Sequence, residues 1–270
     1  MNCCTDKADA VDIISWTKDV YQVFKDECPG VLVIAGTDEN TVYGETHWPM
    51  GGALGRIAAD VLDIHPYPIL FTPTKGDGLM DSLSQSVSVY DTLFMRAYGS
   101  AFVQEFGTLI TGGAKQQDSY LKGVLPQMLA DGANGFLFWC MRDFSVMTEP
   151  YSHVGMESML GMFDSNDRIT PGLEFFSEFA QQLSLINNVS FPEDDAFAVG
   201  LYLPINYESN QNHPSILSRR GVICHHFLKK LGFTTRVIRG DLKIPANLKT
   251  LVVPSMRLTE TEISTIALWV

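Results

Sequence analysis

The chain has 270 residues, of which 46% are hydrophobic, and its 31 acidic and 19 basic residues give a formal net charge of −12. This length and apolar content suffice for one large core or two modest ones. The acidic balance argues against nucleic acid and anionic membranes as partners, because neither phosphate-rich surface would attract the chain.

The first seven residues lack the apolar stretch of a signal peptide, and the longest apolar run, 136–141, is too short to cross a bilayer. The cysteines are odd in number and irregularly spaced: Cys3, Cys4, Cys28, Cys140 and Cys224. This pattern predicts free thiols and lacks the spacing of metal ligands. No cofactor is expected. Free thiols suit a reducing compartment, so the chain as it stands is expected to be cytoplasmic. That expectation lapses if an N-terminal segment precedes Met1.

Apolar periodicity predicts an alternation of helices and strands over the first 186 residues. A helix is expected from Thr5 or Asp6 to about Asp26. Expected strands are 31–36, 61–67, 101–106 and 134–140, and expected helices follow them at 53–60, 83–97, 121–129 and 171–186. Thr170 and Pro171 supply a cap and a proline at the start of the last helix. Such alternation indicates parallel strands.

Polar and aromatic side chains follow one another at the ends of three of these strands. The second strand ends in His65 and Tyr67, the third carries Glu105 next to its end, and the fourth ends in Trp139. The carboxyl ends of parallel strands meet at one edge, so the four side chains are expected to share a cleft. An aromatic face, hydroxyl partners and a carboxylate are what a sugar-cleaving site requires. His47 and Trp48, in the loop after the first strand, are candidates for shaping a subsite.

The order His-x-Tyr, then Glu-Phe-Gly, then Trp resembles the last strands of the clan A glycoside hydrolases. These are retaining (β/α)8 enzymes that include cellulases, mannanases and β-galactosidases. The resemblance implies that Glu105 is the catalytic nucleophile, that His65 and Tyr67 orient it, and that Trp139 is a platform for the sugar. A carbohydrate is the implied partner.

The resemblance covers only half of such a barrel. Residues 1–186 supply four strands, corresponding to strands five to eight of a partial TIM (β/α)8 barrel that needs eight. The family's general acid/base is the Glu of an Asn-Glu pair that ends strand four, and this chain has no such pair. The isolated chain is therefore expected to be a truncated and inactive piece of a hydrolase.

A polar linker at 187–195 precedes a second unit, 196–270. Strands are expected at 197–204, 236–238 and 251–254, with a helix at 216–231 and another capped by Thr259 with Glu262 three residues on. This pattern resembles an incomplete, doubly wound flavodoxin-like domain, which follows the barrel in one branch of β-galactosidases.

Simpler interpretations remain open at this point. Glu105 could be a solvated strand end, His65 and Tyr67 a structural turn, Trp139 a core side chain, and His47 and Trp48 ordinary loop residues. The alternative function is non-catalytic: a carbohydrate-binding remnant or pseudoenzyme. In either case, unpaired barrel edges and the inward faces of Ile34, Ile64 and Phe138 predict self-association.

Overall fold

A computed structural model describes residues 10–36, 59–67, 82–108, 114–144, 155–186, 199–204, 214–255 and 257–270. Two parallel sheets organise this part of the chain. The predicted helix at 53–60, the linker at 187–195 and the candidates His47 and Trp48 lie wholly or mostly outside the described residues.

The first sheet has the strand order β1-β2-β3-β4, and all its pairings are parallel. Its strands are β1 (Ile34–Ala35), β2 (Val61–Ile64), β3 (Ala101–Phe106) and β4 (Ala133–Phe138). The helices of this part are α1 (Ala10–Glu27), α2 (Ser82–Arg96), α3 (Ala114–Ala130) and α4 (Pro171–Leu185), with a 3-10 helix at Gly155–Met159. The predicted parallel pairing of these four strands is confirmed.

The second sheet has the order β6-β5-β7 and is also parallel. Its elements are β5 (Val199–Leu203), α5 (Pro214–Lys230), β6 (Thr235–Arg239), β7 (Thr250–Val252) and α6 (Glu260–Trp269). The central strand β5 is buried along its whole length. This is the pattern of a parallel sheet that is covered on both faces.

Helix α2 joins the two sheets into one hydrophobic core. Every residue from Val87 to Met95 is buried, and the helix contacts β2 and β3 as well as α5 and β6. The core cluster accordingly contains Phe94 from α2, Val103 from the first sheet and Leu201 and Val237 from the second. A helix that is buried on nearly all sides needs a largely apolar sequence, and the stretch Val87–Met95 supplies it.

A polar cluster lies within this contact. Asp131, just after α3, forms an ion pair of 2.8 Å with Lys229 of α5. His225, one turn earlier on α5, shares a 2.8 Å hydrogen bond with Thr235 through Nδ1 and lies 4.0 Å from Asp131 through Nε2. Burial raises the pKa of Asp131 and lowers that of His225 to about 3, and Lys229 adds to the latter effect.

Local sequence signals account for several helix ends. Thr170 occupies the N-cap position of α4 with extended backbone, and Pro171 follows it. Its hydroxyl makes no cap hydrogen bond and donates instead to the carbonyls of Gly161 and Met162. Thr259 and Glu262 form the predicted capping box at α6. Gly232, with φ of +84°, ends the turn after α5 in the left-handed conformation that glycine adopts without a steric penalty.

Several sequence-based expectations differ from the structure. Strand β2 ends at Ile64 instead of residue 67, and α3 begins at Ala114 instead of residue 121. Strand β1 covers only Ile34–Ala35, the two residues that pair with β2, and Val31 and Leu32 before it are exposed. Ile64 is fully buried in the core instead of presenting an open inward face. On α1 the apolar stripe is exposed, with Trp16 65% accessible and Phe24 52%.

Among the described helices, none combines the length and the hydropathy that crossing a membrane requires. The described residues also contain no group of three or more His, Cys, Asp or Glu side chains placed to hold a metal ion.

Candidate active site

The strand register brings the candidate side chains to one edge of the first sheet. Ile64 of β2 lies opposite Val103 of β3, and Phe106 of β3 lies opposite Phe138 of β4. The chain beyond each of these pairs therefore emerges at the carboxyl end of the sheet. His65 and Trp139 are the next residues along β2 and β4, and Glu105 is the second last residue of β3.

Two groups contact the same carboxylate oxygen of Glu105. The Tyr67 hydroxyl donates a hydrogen bond of 3.4 Å to Oε2, and His65 Nδ1 lies 3.5 Å from the same atom. The Glu105 side chain keeps 31% of its surface exposed. No described residue donates a hydrogen bond to its other oxygen, Oε1.

Tyr67 is held as a proton donor. Burial is the main cause that raises the pKa of its hydroxyl far above 10, and the negative charges of Glu105 and Glu157 add to it. The hydroxyl therefore stays protonated across the pH range in which proteins work. It can always donate to a carboxylate beside it.

His65 is positioned from its other side by polar groups of β2 and β3. Its Nε2 lies 3.0 Å from Gln104 Oε1 and 3.5 Å from Oδ2 of Asp63, whose side chain is 1% exposed. Both ring nitrogens thus face oxygen atoms that can accept a hydrogen bond. Gly36 leaves room for it, because a Cβ there would come within 3.3 Å of Gln104 Oε1 and 3.7 Å of the His65 ring.

Trp139 is fixed by a residue that the sequence did not single out. Its indole Nε1 donates a hydrogen bond of 3.0 Å to Oε2 of Glu157, in the 3-10 helix. The charge of Glu157 also raises the pKa of Tyr67 and of Cys140, so Glu157 lies on the Glu105 side of the sheet. The loop that contains Glu157 has no periodicity, and only its position after the fourth strand could have suggested a role.

Gly107 allows β3 and the end of β4 to approach closely. A Cβ at this position would lie 2.5 Å from the carbonyl oxygen of Trp139. The Trp139–Cys140 peptide bond is cis. Burial raises the pKa of the neighbouring Cys140 to about 11, so this thiol stays protonated and is no competing nucleophile.

The structure therefore brings His65, Tyr67, Glu105 and Trp139 to one edge, and adds Glu157. These residues offer a carboxylate that Tyr67 and His65 contact at Oε2, and a half-buried indole that is bonded to a second carboxylate. No described residues form a metal site.

No protein-family model matches the sequence, and no curated protein matches it at a significant level. Solved structures match it over nearly its whole length. The exo-beta-1,4-mannosidase Op5Man5 from Opitutaceae bacterium strain TAV5 matches with a TM-score of 0.83 and 30% identity, over 97% of this chain and 49% of that chain. The chain thus has a glycoside hydrolase fold.

More distant structures share it. GH5_18 from Streptomyces cattleya, solved in complex with GlcNAc, matches with a TM-score of 0.78 and 14% identity over 92% of this chain and 62% of that chain. The beta-galactosidase from the psychrophilic Marinomonas ef1 matches with a TM-score of 0.65 and 10% identity, over 96% of this chain and 41% of that chain. The α/β architecture with its parallel sheets is thus similar to that of TIM-barrel glycoside hydrolases. The chain spans about half the length of the mannosidase that it matches.

Proposed function

We propose that this chain carries the nucleophile half of a retaining β-glycosidase, with Glu105 as the nucleophile. The observation that carries the proposal is the shared contact of Tyr67 and His65 with Oε2 of Glu105. That contact holds Oε2, whereas no described residue binds Oε1. Oε1 is then the oxygen that attacks the anomeric carbon.

The surrounding groups suit each stage of such an attack. In the free enzyme the Tyr67 hydroxyl and His65 stabilise the carboxylate charge. As Oε1 forms its bond to the anomeric carbon, the glycosidic bond breaks and the charge on Glu105 is lost. The glycosyl ester that results is later hydrolysed by water, with net retention of configuration.

Trp139 and Glu157 supply the binding surface in this proposal. The indole offers an apolar face for the sugar ring, and its N–H is occupied by Glu157 Oε2. No described residue occupies the second oxygen of Glu157. We assign that oxygen to a sugar hydroxyl.

We propose a β-linked mannoside as the first substrate to test. This rests on the 30% identity with an exo-beta-1,4-mannosidase over 97% of this chain. The structures from Streptomyces cattleya, one of them with Manb1-4GlcNAc bound, agree with that choice.

The domain arrangement belongs to the same proposal. Four parallel strands with crossover helices fit strands five to eight of a (β/α)8 barrel over residues 1–186, with 187–195 as a linker. The order β6-β5-β7 is how a flavodoxin-like sheet begins, which supports such a unit over 196–270. Because the 270 residues contain no Asn-Glu pair, we assign the general acid/base to polypeptide other than this chain.

The test uses a substrate that does not need the acid. The dinitrophenolate of a dinitrophenyl β-mannoside leaves unprotonated while the mannosyl group is transferred to Glu105. Azide replaces water in the second step without a general base. We expect the chain to release dinitrophenol and form the β-mannosyl azide, identified by NMR. Unactivated mannobiose should react about 10²–10⁴-fold more slowly than in a complete enzyme.

Glu105→Ala is the control, because it removes the nucleophile and should yield either no azide adduct or the inverted α product. If the wild-type chain binds mannobiose but forms no glycosyl azide, the hydrolase proposal fails. The carbohydrate-binding remnant then takes its place.

A further inference from the structure

Asp63 is a buried carboxylate beside His65. It lies on β2, two positions before His65, and side chains at this spacing share one face of an extended strand. Its side chain is 1% exposed, and its Oδ2 lies 3.5 Å from Nε2 of His65. A carboxylate this far from water requires a hydrogen-bond donor or a cation beside it. The imidazole of His65 can supply such a donor through Nε2–H.

The imidazole of His65 therefore lies between two carboxylates. Its Nε2 faces Asp63 Oδ2 at 3.5 Å and Gln104 Oε1 at 3.0 Å, and its Nδ1 faces Glu105 Oε2 at 3.5 Å. An ionised carboxylate only accepts hydrogen bonds, whereas a neutral imidazole has one N–H donor and one acceptor nitrogen. Neutral His65 can thus donate to only one of the two sides. A second proton on the ring is required to donate to both.

A single ring proton is more stable on Nε2, the side of Asp63. Asp63 is almost fully buried, whereas Glu105 keeps 31% of its side-chain surface exposed and accepts a hydrogen bond from Tyr67. Leaving a buried carboxylate without a donor costs more free energy than leaving a hydrated one. The hydrogen bond that one ring nitrogen makes determines which tautomer a histidine adopts.

We propose that Asp63 is a positioning residue that sets the tautomer of His65 and makes the contact between His65 and Glu105 depend on a second proton. With both ring nitrogens protonated, His65 donates to Asp63 and to Glu105. When one proton leaves, Nδ1 presents a lone pair to Oε2 of Glu105, and this repels the carboxylate. The inference rests on the proposed role of Glu105 as nucleophile and extends it to the response of the site to pH.

Two further titratable groups near Glu105 keep their protons at neutral pH. Burial raises the pKa of the Tyr67 hydroxyl far above 10, and burial raises the pKa of the Cys140 thiol to about 11. Histidine is the side chain that ordinarily titrates between pH 5 and 8. We therefore expect the proton that leaves this edge of the sheet, as the pH rises from 6 to 9, to come from His65.

The first experiment locates the ring protons of His65 by NMR in the whole 270-residue chain. Histidine is labelled with nitrogen-15, and the signals that disappear in His65→Gln are assigned to His65. At pH 9 we expect the ring proton on Nε2 in wild type and on Nδ1 in Asp63→Asn, because the amide can donate to Nε2. A proton on Nδ1 of wild type at pH 9, with or without one on Nε2, would overturn the inference, and so would an unchanged tautomer in Asp63→Asn. The wild-type spectrum is decisive even if the variant does not fold.

The second experiment follows the transfer of the mannosyl group to azide from pH 6 to 9. The rate of wild type should fall roughly tenfold as the pH rises, since a small misplacement of a reacting group costs up to about 100-fold, and the rate of Asp63→Asn should hardly change. Asp131→Asn, at another buried carboxylate that pairs with α5, is the matched control and should keep the wild-type pH profile. If the rates of wild type and Asp63→Asn fall equally with pH, the inference is wrong. If no mannosyl azide forms at any pH, the proposed function fails, and the NMR result still decides the tautomer of His65.

Discussion

Tyr67 is the residue through which the state of the Glu105 carboxylate is most directly tested. Tyr67→Phe keeps the ring but removes the hydroxyl, which donates a hydrogen bond of 3.4 Å to Oε2 of Glu105. The hydroxyl positions the carboxylate for attack, and a small misplacement of a reacting group costs up to about 100-fold in rate. We therefore expect the rate of glycosyl-enzyme formation with an activated mannoside to fall roughly 10- to 100-fold, as measured by stopped-flow release of the leaving group.

Tyr21→Phe is the matched control for this change. Tyr21, which lies on α1, also donates to a carboxylate, Asp60 Oδ1 at 2.9 Å, but this hydrogen bond is exposed. Its loss should leave the reaction rate unchanged. Equal effects of the two substitutions would show that Tyr67 supports folding and does not hold the nucleophile.

The residues of the site differ in how far the sequence predicts them. Glu105, His65 and Tyr67 come from strands with strong apolar patterns, so their common edge follows from parallel pairing. Glu157 could not be predicted this way, because its role depends on a contact with Trp139, 18 positions away, across an aperiodic loop.

At the scale of elements, α5 packs on the first part of the chain through a neutral, buried histidine. The folded protein keeps His225 unprotonated down to about pH 3, against 6.5 as the ordinary value. Between these values the unfolded chain binds a proton that the folded chain does not. The free energy of unfolding should therefore fall as the pH falls below 6.5, by up to about 1.4 kcal/mol per pH unit.

The groups that face His225 make a difference measurement necessary. Lys229 and His226 lower its pKa further, whereas Asp131, 4.0 Å away, has a raised pKa and titrates with the opposite effect on stability. Urea unfolding of wild type and of His225→Gln from pH 7.5 to 4.5 isolates the histidine. The stability of the variant should decline less steeply with falling pH. If the free energy of unfolding falls equally steeply with pH in wild type and in His225→Gln, the pH dependence does not come from His225.

The ion pair between Lys229 of α5 and Asp131 gives a second prediction for the contact between elements. Lys229→Gln leaves the Asp131 carboxylate, 5% exposed, without its cation. Removing one partner of a buried pair is costly because the other charge stays buried. Since Lys229 is itself 23% exposed, we expect a loss of about 1–3 kcal/mol in the free energy of unfolding.

Lys122→Gln breaks a pair of similar length, 2.7 Å to Asp118 on the surface of α3, and serves as the reference. Exposed pairs of this kind contribute less than about 0.5 kcal/mol. Chemical denaturation should show a clearly larger loss in the free energy of unfolding for Lys229→Gln than for Lys122→Gln. Equal losses would mean that the contact between α5 and Asp131 does not stabilise the fold.

Most elements were predictable from local signals. Strand β3 matches its expected bounds because Gly99-Ser100 and Gly107 delimit an apolar run, and α6 begins at its capping box. The exposure of Trp16 on α1 was not predictable, since the apolar period shows which face would pack but not whether a partner exists. The contact of α2 with both sheets depends on pairings distant in the sequence.

For the whole molecule, the exposed apolar surface predicts association. β1 and β4 are the outer strands of the described first sheet, and Leu137 on β4 is 53% exposed. Unpaired edges with apolar side chains bind other chains. We expect light scattering after gel filtration to show dimers or larger species, and a hydrophobic dye to bind.

Leu137→Lys should shift this distribution toward monomer, because a charge on an edge strand disfavours pairing. Leu268→Lys, at an 89% exposed position on α6, should not. A monodisperse wild-type monomer that unfolds cooperatively and binds no dye would contradict the prediction.

The central claim is that Glu105 attacks the sugar, and covalent trapping tests it most directly. The chain is incubated with a 2-deoxy-2-fluoro-β-mannosyl fluoride, whose leaving group needs little protonation and whose ring fluorine slows hydrolysis of the ester. Intact-mass and peptide mass spectrometry should find one glycosyl unit on the peptide that contains Glu105, and none on Glu105→Gln. An unlabelled wild-type chain, or a label on another carboxylate such as Glu157, would contradict the claim.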